Sequence, residues 1–306
     1  MKRLKIRTLR MVMWLLGQLS LRGAQRLGAL IGRVLWWSNG RTRQTTEINI
    51  NLAFPEQTPE QRRILVRASL VETGRLLMEV PLMWERPVSQ CFDTIREIEG
   101  QPLLDEALAS ERGLVLLAPH LGNWELAGLF FSSRFSMAAL YSPPNVPEME
   151  AYMSEVRGRV GSELVRADRR GVLRLFTILR EGGVVGILPD QNPDEASGGV
   201  YAPFFGIDIL SMKLVSRMIS KTGARALVTY AERLPKGEGF RLVIDEVDER
   251  LYESDIDTSV TGLNATVEKV VRRIPEQYQW EYKRFKKRRP GSPHPYDPGR
   301  VVKRSA

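Results

Sequence analysis

Residues 119–125 contain a histidine and a glutamate separated by four residues. Within one continuous helix, residues five apart lie about 140° apart, so His120 and Glu125 would not share a face. They can meet only if His120 lies in a loop and Asn123 caps a helix that has Glu125 in its first turn. The positive end of that helix would keep the carboxylate ionised. A carboxylate beside a histidine fixes its tautomer and stabilises the imidazolium, which is the arrangement of a general base.

No protein nucleophile accompanies this pair. The chain has no Gly-x-Ser-x-Gly motif, and its single cysteine, Cys91, has no histidine nearby in sequence. A base with an orienting acid and no nucleophile indicates that the nucleophile is the substrate, for example a hydroxyl group. With two histidines and one cysteine we predict no metal site, and without a Walker or Gly-x-Gly-x-x-Gly motif we expect no nucleotide. No cofactor is predicted.

Two predicted strand ends are alike. Each of the apolar runs 114–118 and 184–188 is followed by a proline and then by a titratable residue, His120 or Asp190. Proline ends a strand ladder, and ligands of open α/β sheets gather at the carboxyl ends of the strands. Both side chains could therefore point into one crevice. The alternative is that each residue only caps or hydrogen-bonds its own loop.

Short apolar runs and helical segments alternate along the middle of the chain. The runs of strand type lie at residues 114–118, at 137–141, near 164, and at 184–188. Helices are predicted from about residues 60, 123, 148 and 171, and later at about 260–274. Strands buried on both faces and separated by helices predict an α/β fold with a largely parallel central sheet flanked by helices. The runs 224–230 and 240–247, joined by a turn, predict an antiparallel hairpin at the sheet edge.

The chain has 306 residues and a formal net charge of +9, which favours acidic partners: nucleic acid, anionic lipid headgroups or an acidic carrier protein. A single cysteine permits no intramolecular disulfide, so we expect the folded part to face a reducing compartment. Basic residues are concentrated in the first ten positions and in residues 283–289, six of which are Lys or Arg. Composition alone does not choose among these partners.

The first 37 residues have the pattern of an interfacial helix, or of two short ones. The uncharged segment 11–21 is shorter than the roughly 20 residues that a spanning helix needs. On a helix continued past it, Arg22, Arg26 and Arg33 fall within about 40° of one another, and much of the remaining surface is apolar. We expect the segment to lie on an anionic membrane with its tryptophans at headgroup depth: Trp14, Trp36 and Trp37. The alternatives are a helix packed on its own domain and a single tilted span.

These patterns divide the chain into three parts. Residues 1–40 are predicted to be a membrane-associated helical segment, residues 41–290 an α/β domain, and residues 291–306 a basic, proline-rich tail. The N-terminal segment does not have the pattern of a cleaved signal peptide, because basic residues rather than a small-residue cleavage site follow its apolar run.

The spacing of His120 and Glu125 is that of the glycerolipid acyltransferase motif, a histidine followed by four residues and an acid. The sequence His-Leu-Gly-Asn-Trp-Glu at 120–125 resembles the version in the late acyltransferases of bacterial lipid A assembly, the lauroyl and myristoyl transferases. The resemblance covers nearly the whole chain. The further matching segments, in order, are residues 51–56, 141–145 followed by Arg157, 167–169, 189–191, 203–206 and 275–280.

The resemblance implies a fatty acyl chain carried by acyl carrier protein, a lipid A precursor as acceptor, and a location at the cytoplasmic face of the bacterial inner membrane. It implies that His120 is the general base on the acceptor hydroxyl and that Glu125 holds the imidazole. A basic surface that includes Arg284, Lys286 and Lys287 is expected to meet the acidic carrier protein.

Several other residues are candidate substrate contacts. Arg157 could bind a phosphate of the acceptor or stabilise developing negative charge, and Arg169 and Arg170 could do the same. Each arginine could equally be a solvated residue or a flank of its helix. Asp190 could orient one of these arginines, or occupy a turn. The remaining candidates are Asn123 and Trp124, with Phe204 and Phe205 either lining an acyl slot beside Trp124 or packing in the core.

Two other functions remain compatible with the sequence. The motif specifies the chemistry and not the acceptor, so a lysophospholipid, a glycerophosphate or an amino-acid lipid could replace the lipid A precursor. The run 283–289, in which Phe285 lies among basic residues, is also compatible with a nucleic-acid-binding protein. That second function leaves the histidine motif and the amphipathic N-terminus unexplained, and we therefore expect no nucleic-acid partner.

Overall fold

The structure is a computed structural model and describes residues 2–141, 147–193, 198–297 and 299. The helices are α1 (Lys2–Gly17), α2 (Leu21–Ser38), α3 (Arg41–Ala53), α4 (Pro59–Glu85), α5 (Val88–Phe92), α6 (Gln101–Ala109), α7 (Trp124–Arg134), α8 (Pro147–Gly158), α9 (Arg169–Arg180), α10 (Leu214–Thr222) and α11 (Ile256–Arg273). The strands are β1 (Ile95–Glu99), β2 (Leu114–Leu117), β3 (Met137–Tyr141), β4 (Glu163–Arg166), β5 (Val184–Ile187), β6 (Gly199–Phe204), β7 (Ile207–Met212), β8 (Arg225–Arg233) and β9 (Phe240–Glu246). Most of the matching segment 141–145 lies outside the described residues.

Seven strands form the central sheet in the order β1-β9-β8-β2-β5-β3-β4, and β6 and β7 form a separate antiparallel pair. All neighbours in the central sheet are parallel except β8 and β9. The predicted parallel α/β sheet is confirmed. The predicted position of the hairpin is wrong, because β1 pairs with the outer side of β9 and takes the edge. Three of the five residues of β1 are charged, as is typical of an edge strand.

The central strand β2 is buried on both faces, which explains its unbroken apolar sequence. Val115 and Leu117 face a core cluster that includes residues of α9, α10 and α11. Leu114 and Leu116 face a second cluster that includes residues of α6 and α7. Because side chains alternate along a strand, one four-residue run fills both layers, and its carboxyl end is held rigidly between them.

The N-terminal segment forms two helices rather than one. Ser20 caps α2 by accepting a hydrogen bond from the backbone N–H of Gly23 at 3.1 Å. Helix α2 packs closely on α4, where a Cβ on Gly74 would lie 2.2 Å from the carbonyl oxygen of Gly28. Glycines therefore allow the two backbones to touch. The alternative of a helix packed on its own domain holds for the inner face of α2.

The outer faces of α1 and α2 expose large apolar side chains. On α1 these are Met11, Val12, Trp14 and Leu15, and on α2 they are Leu27, Leu30, Val34 and Trp37. Trp37 is 81% exposed, whereas Trp36 is only half-exposed and lies against Arg43. Within the described residues, no helix is long and apolar enough to cross a membrane. Large apolar side chains exposed in such number are typical of a binding face.

The close approach of α2 and α4 predicts opposite effects for two glycine-to-alanine substitutions in helices. Gly74→Ala should lower the free energy of unfolding by about 1–3 kcal/mol, because the added methyl group meets backbone atoms of α2. Gly128→Ala in α7 should leave stability unchanged or raise it by up to about 1 kcal/mol, because its Cβ would meet nothing within 4 Å. Thermal denaturation of both variants tests this. Equal behaviour would contradict the packing.

Candidate active site

His120 and Asp190 meet at the carboxyl ends of two adjacent parallel strands. Leu117 of β2 and Ile187 of β5 are paired in the sheet, and each strand is followed by the same number of residues before the titratable side chain. The backbone N–H of His120 donates to Asp190 Oδ2 at 2.9 Å, and His120 Nδ1 lies 2.8 Å from Asp190 Oδ1. Both side chains are buried. The two strand ends therefore share one crevice, as their likeness in sequence predicted.

The environment of Asp190 keeps its carboxylate charged. Burial by itself would raise the pKa of Asp190, but the charge of His120, two hydrogen bonds from His120 and the charge of Arg284 outweigh it. The pKa therefore lies below its ordinary value. Because an ionised carboxylate only accepts hydrogen bonds, His120 Nδ1 is the donor, and Nε2 is the nitrogen that can take a proton. Gln191 Nε2, at 3.2 Å, donates to that nitrogen.

Glu125 does not hold the imidazole, contrary to expectation. Its carboxylate accepts a hydrogen bond from Trp84 Nε1 at 3.1 Å and forms an ion pair with Arg157. The physical reason is local. Helix α7 begins at Trp124, and the ring of Trp124 contacts that of His120 edge-on with 4.9 Å between centroids. Glu125 is the next residue, and it is turned by about 100° around the helix axis, toward α4 and α8. Asp190 is the carboxylate at the imidazole, and it hydrogen-bonds His120 rather than Arg157, Arg169 or Arg170.

Arg157 lies beside the site on α8. Burial would lower its pKa, but the charge and hydrogen bonds of Glu125 raise the pKa of Arg157 above its ordinary value. Its guanidinium carbon stands 6.0 Å from the Trp84 ring, and 32% of its side chain is exposed. The site thus contains two side-chain pairs, His120 with Asp190 and Arg157 with Glu125. Arg157 is a fixed cation that is still partly exposed to solvent.

Asn123 caps α7 as predicted, with Oδ1 accepting from the N–H of Leu126 at 2.9 Å. Its Nδ2 donates to Glu79 Oε2 at 3.0 Å, and the residue is fully buried. Both ends of the amide are therefore occupied by protein groups, and a contact of Asn123 with substrate stays a prediction. Trp124 is half-buried and, with Tyr278 and Gln279, lines a cavity of about 10 Å³, which is room for one water molecule.

Other candidate residues lie away from the dyad, which is the pair of His120 and Asp190. Arg169 and Arg170 are exposed in the first turn of α9, which follows the edge strand β4, three strands from β2. The structure does not bring them to His120. Phe204 and Phe205 are buried in the core against aromatic rings that include Phe54, so they pack rather than line a slot. In the described residues, no group of three or more His, Cys, Asp or Glu could hold a metal ion.

Two supporting residues of the dyad were not identified from the sequence. Tyr278 is buried, and burial, followed by the charge of Asp190, raises the pKa of Tyr278 well above its ordinary value. Arg284, expected on a basic surface, is instead buried and donates to Asn192 Oδ1 at 2.8 Å and Ser211 Oγ at 2.9 Å. The alternation of aromatic and basic residues near the end of the chain was the available signal, since buried aromatic rings flank both positions.

The turn from His120 to Asn123 is held on two sides by backbone hydrogen bonds. The carbonyl of His120 accepts from the N–H of Gln279 at 3.0 Å, and the N–H of Gly122 donates to the carbonyl of Gln277 at 3.0 Å. The N–H of Asn123 donates to Ala231 at 2.8 Å. Gly122 has φ 61°, and a Cβ there would lie 2.1 Å from the Ala231 carbonyl oxygen. Only glycine fits that position.

The chain is similar to known proteins over most of its length. The model of a family described as bacterial lipid A biosynthesis acyltransferase matches residues 7–287. The chain is 27% identical to the lipid A biosynthesis lauroyltransferase of Escherichia coli K12 over 286 residues, which cover 93% of this chain and 92% of the relative. It is 29% identical to the palmitoleoyltransferase of the same strain over 281 residues, covering 90% and 89%. The myristoyltransferase of that strain is 26% identical over 282 residues, covering 89% and 82%.

The lowered pKa of Asp190 predicts a pH-dependent contribution to stability. A carboxyl group whose pKa is lower in the folded state stabilises the protein above its unfolded pKa of about 3.9 and loses that effect as the pH falls through the folded value. Asp190→Asn should therefore cost about 1.5–3 kcal/mol of unfolding free energy near neutral pH. The difference from wild type should shrink as the pH falls below about 4. Denaturant titrations at several pH values measure it, and a constant difference would contradict the assignment.

Proposed function

The chain belongs to the bacterial lipid A biosynthesis acyltransferase family, and we propose that it moves a fatty acyl chain from acyl carrier protein to a hydroxyl group of a lipid A precursor. The observation that carries this proposal is the buried His120–Asp190 pair, which lies within the matched residues and, in the part of the chain that the structure describes, has no serine, threonine or cysteine side chain hydrogen-bonded to the imidazole. The hydroxyl that such a base activates must then come from the substrate.

The proposed reaction is a direct transfer. Nε2 of His120 takes the proton of the acceptor hydroxyl while that oxygen attacks the thioester carbonyl carbon. Asp190 holds Nδ1–H and stabilises the imidazolium. The C–S bond breaks, the ester forms, and the imidazolium returns its proton to the leaving thiolate. General-base catalysis supplies about 10²- to 10⁴-fold, and alignment of the two substrates supplies much of the remainder.

Arg157 is proposed to bind an anionic group of the acceptor, with Glu125 as the residue that fixes it. The supporting observation is that the guanidinium is paired on one side and exposed on the other. A phosphate is a suitable partner because the planar guanidinium can donate two parallel hydrogen bonds to it. Glu125 then acts on acceptor binding, and His120 acts on the proton.

Contact with acyl carrier protein is proposed on a smaller basic surface than the sequence indicated. Arg284 is buried, and Lys287 Nζ donates to the carbonyl of Pro193 at 2.6 Å. Lys286 is exposed in the same run. The burial of Arg284 and Phe285 also removes the interleaved basic and aromatic surface that favoured nucleic-acid binding. A different lipid acceptor remains the alternative function, since the dyad would serve any hydroxyl.

Binding to the cytoplasmic face of the inner membrane is proposed for the exposed apolar face of α1 and α2. Arg22, Arg26 and Arg33 are exposed on α2 together with that apolar face. Apolar side chains that enter the headgroup region, with arginines that meet anionic lipid, are the two parts of an interfacial anchor. Such an anchor would hold the site close to a lipid acceptor.

Substitutions in the two charged pairs should separate into two kinetic classes. His120→Ala should lower kcat by at least about 10²-fold, and Asp190→Asn should be impaired with a residual rate at or above that of His120→Ala. The double variant should be little worse than His120→Ala, because residues that act as a unit are not additive. Glu125→Gln should mainly raise KM for the acceptor. Steady-state assays with an acyl carrier protein donor and a lipid A precursor measure these effects, and full activity of His120→Ala would refute the mechanism.

The lipid acceptor is tested in cells. Lipid A from a strain that lacks this protein should have one secondary acyl chain fewer by mass spectrometry, and wild-type protein should restore the chain while His120→Ala should not. If lipid A is unchanged and a phospholipid or amino-acid lipid loses an acyl group, the alternative acceptor is correct. Each outcome identifies a substrate class.

Replacing apolar residues on α2 should weaken membrane binding without unfolding the protein. Leu30 and Val34 are 54% and 60% exposed, so Leu30→Ser with Val34→Ser removes apolar contact area and no core packing. Flotation with anionic vesicles should decrease for this variant. Leu173→Ser on α9 is the matched control at 59% exposure and should float like wild type. High salt should weaken binding of the wild type without abolishing it, and complete release by salt would contradict an apolar contribution.

A further inference from the structure

Glu79 on α4 is a buried carboxylate that no proposed chemical step uses. It is fully buried, and each of its oxygens accepts two hydrogen bonds. Arg233 donates twice, from Nε to Oε1 at 2.5 Å and from Nη2 to Oε2 at 2.6 Å. The other two donors are neutral amides, Gln25 at 2.7 Å to Oε1 and Asn123 at 3.0 Å to Oε2. The acceptor capacity of the carboxylate is thus filled.

The counter-charge of Glu79 is equally constrained. Arg233 is buried on β8 and also donates from Nη1 to Glu72 Oε2 at 2.8 Å. Burial would lower the pKa of Arg233, but Glu79 and Glu72 raise it above its ordinary value. Removal of Arg233 would leave the fully buried Glu79 without a counter-charge, and removal of Glu79 would leave the buried Arg233 with Glu72 alone, so either change is costly. The Glu79–Arg233 ion pair therefore joins α4 rigidly to strand β8 of the central sheet.

The catalytic turn, residues 120–123, is hydrogen-bonded to this ion pair through Asn123. The side chain of Asn123 bonds Glu79, and its backbone N–H bonds Ala231, two residues before Arg233 on β8. The same side chain caps α7 through Leu126. One residue therefore fixes the end of the turn that begins at His120, and the first residue of the capped helix, Trp124, contacts the imidazole ring.

We propose that Glu79 is a positioning residue, which acts through Asn123 to hold His120 in register with Asp190. This inference rests on the proposed acyl transfer at His120. A buried ion pair alone adds little net stability compared with apolar packing. A bond from the same carboxylate to the catalytic turn gives it a geometric role, because misplacement of a catalytic group by about 1 Å can cost about 10²-fold in rate.

The two neutral amides provide a matched pair of variants, because each donates one hydrogen bond to the same carboxylate. Asn123→Ser keeps a good helix cap but removes the donor to Glu79 on the side of the catalytic turn. Gln25→Met removes the donor from α2, on the side away from that turn. Substitution of Glu79 itself is avoided, since it would remove the acceptor of four buried hydrogen bonds at once.

Both variants should show similar drops in Tm. Asn123→Ser should lower kcat by about 10- to 100-fold, with KM for the carrier-bound donor within about twofold of wild type, and should shift the acid limb of the pH–rate profile. Gln25→Met should keep kcat and the pH profile within about twofold of wild type. A loss of stability alone would not change the pH profile.

His120→Ala in the same assay distinguishes the two levels of the proposal. If His120→Ala is inactive and Asn123→Ser has the kcat and pH profile of wild type, the positioning role is overturned and the proposed function stands. If both amide variants lose kcat equally, Glu79 is structural only and the proposal is again overturned. Full activity of His120→Ala overturns the proposed function itself.

Discussion

The site depends on one constraint, the in-register pairing of β2 with β5. Because Leu117 lies opposite Ile187, the residues that follow these strands leave the sheet at the same level, and His120 meets Asp190 with both its backbone N–H and its ring. A register shift of one strand by one residue would turn its side chains to the opposite face of the sheet and would separate His120 from Asp190. The layers of helices on both faces of β2 prevent such a shift, since the strand would have to unpack two cores. The geometry of the dyad is therefore a consequence of core packing.

The end of the chain completes a site that begins near its middle. The N–H of Gln279 donates to the carbonyl of His120, and Arg284 places positive charge near Asp190 from within the core. A buried arginine without a carboxylate in direct contact is expensive; here Nη1 and Nη2 donate to Asn192, Leu210 and Ser211, while Nε has no hydrogen-bond partner among the described residues. Burial lowers the pKa of Arg284, and the charge of Arg284 is one of the causes that hold the pKa of Asp190 below its ordinary value.

The apolar N-terminal helices and the charged site are connected through α8. Arg10 of α1 pairs with Glu155 at 2.8 Å, and Tyr152 of the same helix α8 donates to Glu85 at the end of α4. Arg159, just beyond α8, donates to the last carbonyls of α4, including that of Trp84 at 2.9 Å. Helix α8, which carries Arg157, is thus bonded to α1, which carries part of the exposed apolar face, and to α4, on which α2 packs. Under the proposed function, this arrangement places a phosphate-binding cation next to the membrane surface from which a lipid acceptor would come.

The sequence by itself determined the features that depend on neighbouring residues: the apolar strands, the prolines that end them, the cap at Asn123 and the cap at Thr58 that opens α4. These follow from local periodicity and from hydrogen bonds within one turn. The tertiary structure alone decided that Asp190 rather than Glu125 holds His120, that β1 covers the hairpin, and that Arg284 is buried. The reason is that these contacts join residues 70 or more positions apart in the chain or depend on strand order, and no pattern within a single segment encodes such distances. The composition of the motif predicted a base, but only the assembled sheet determined its partner.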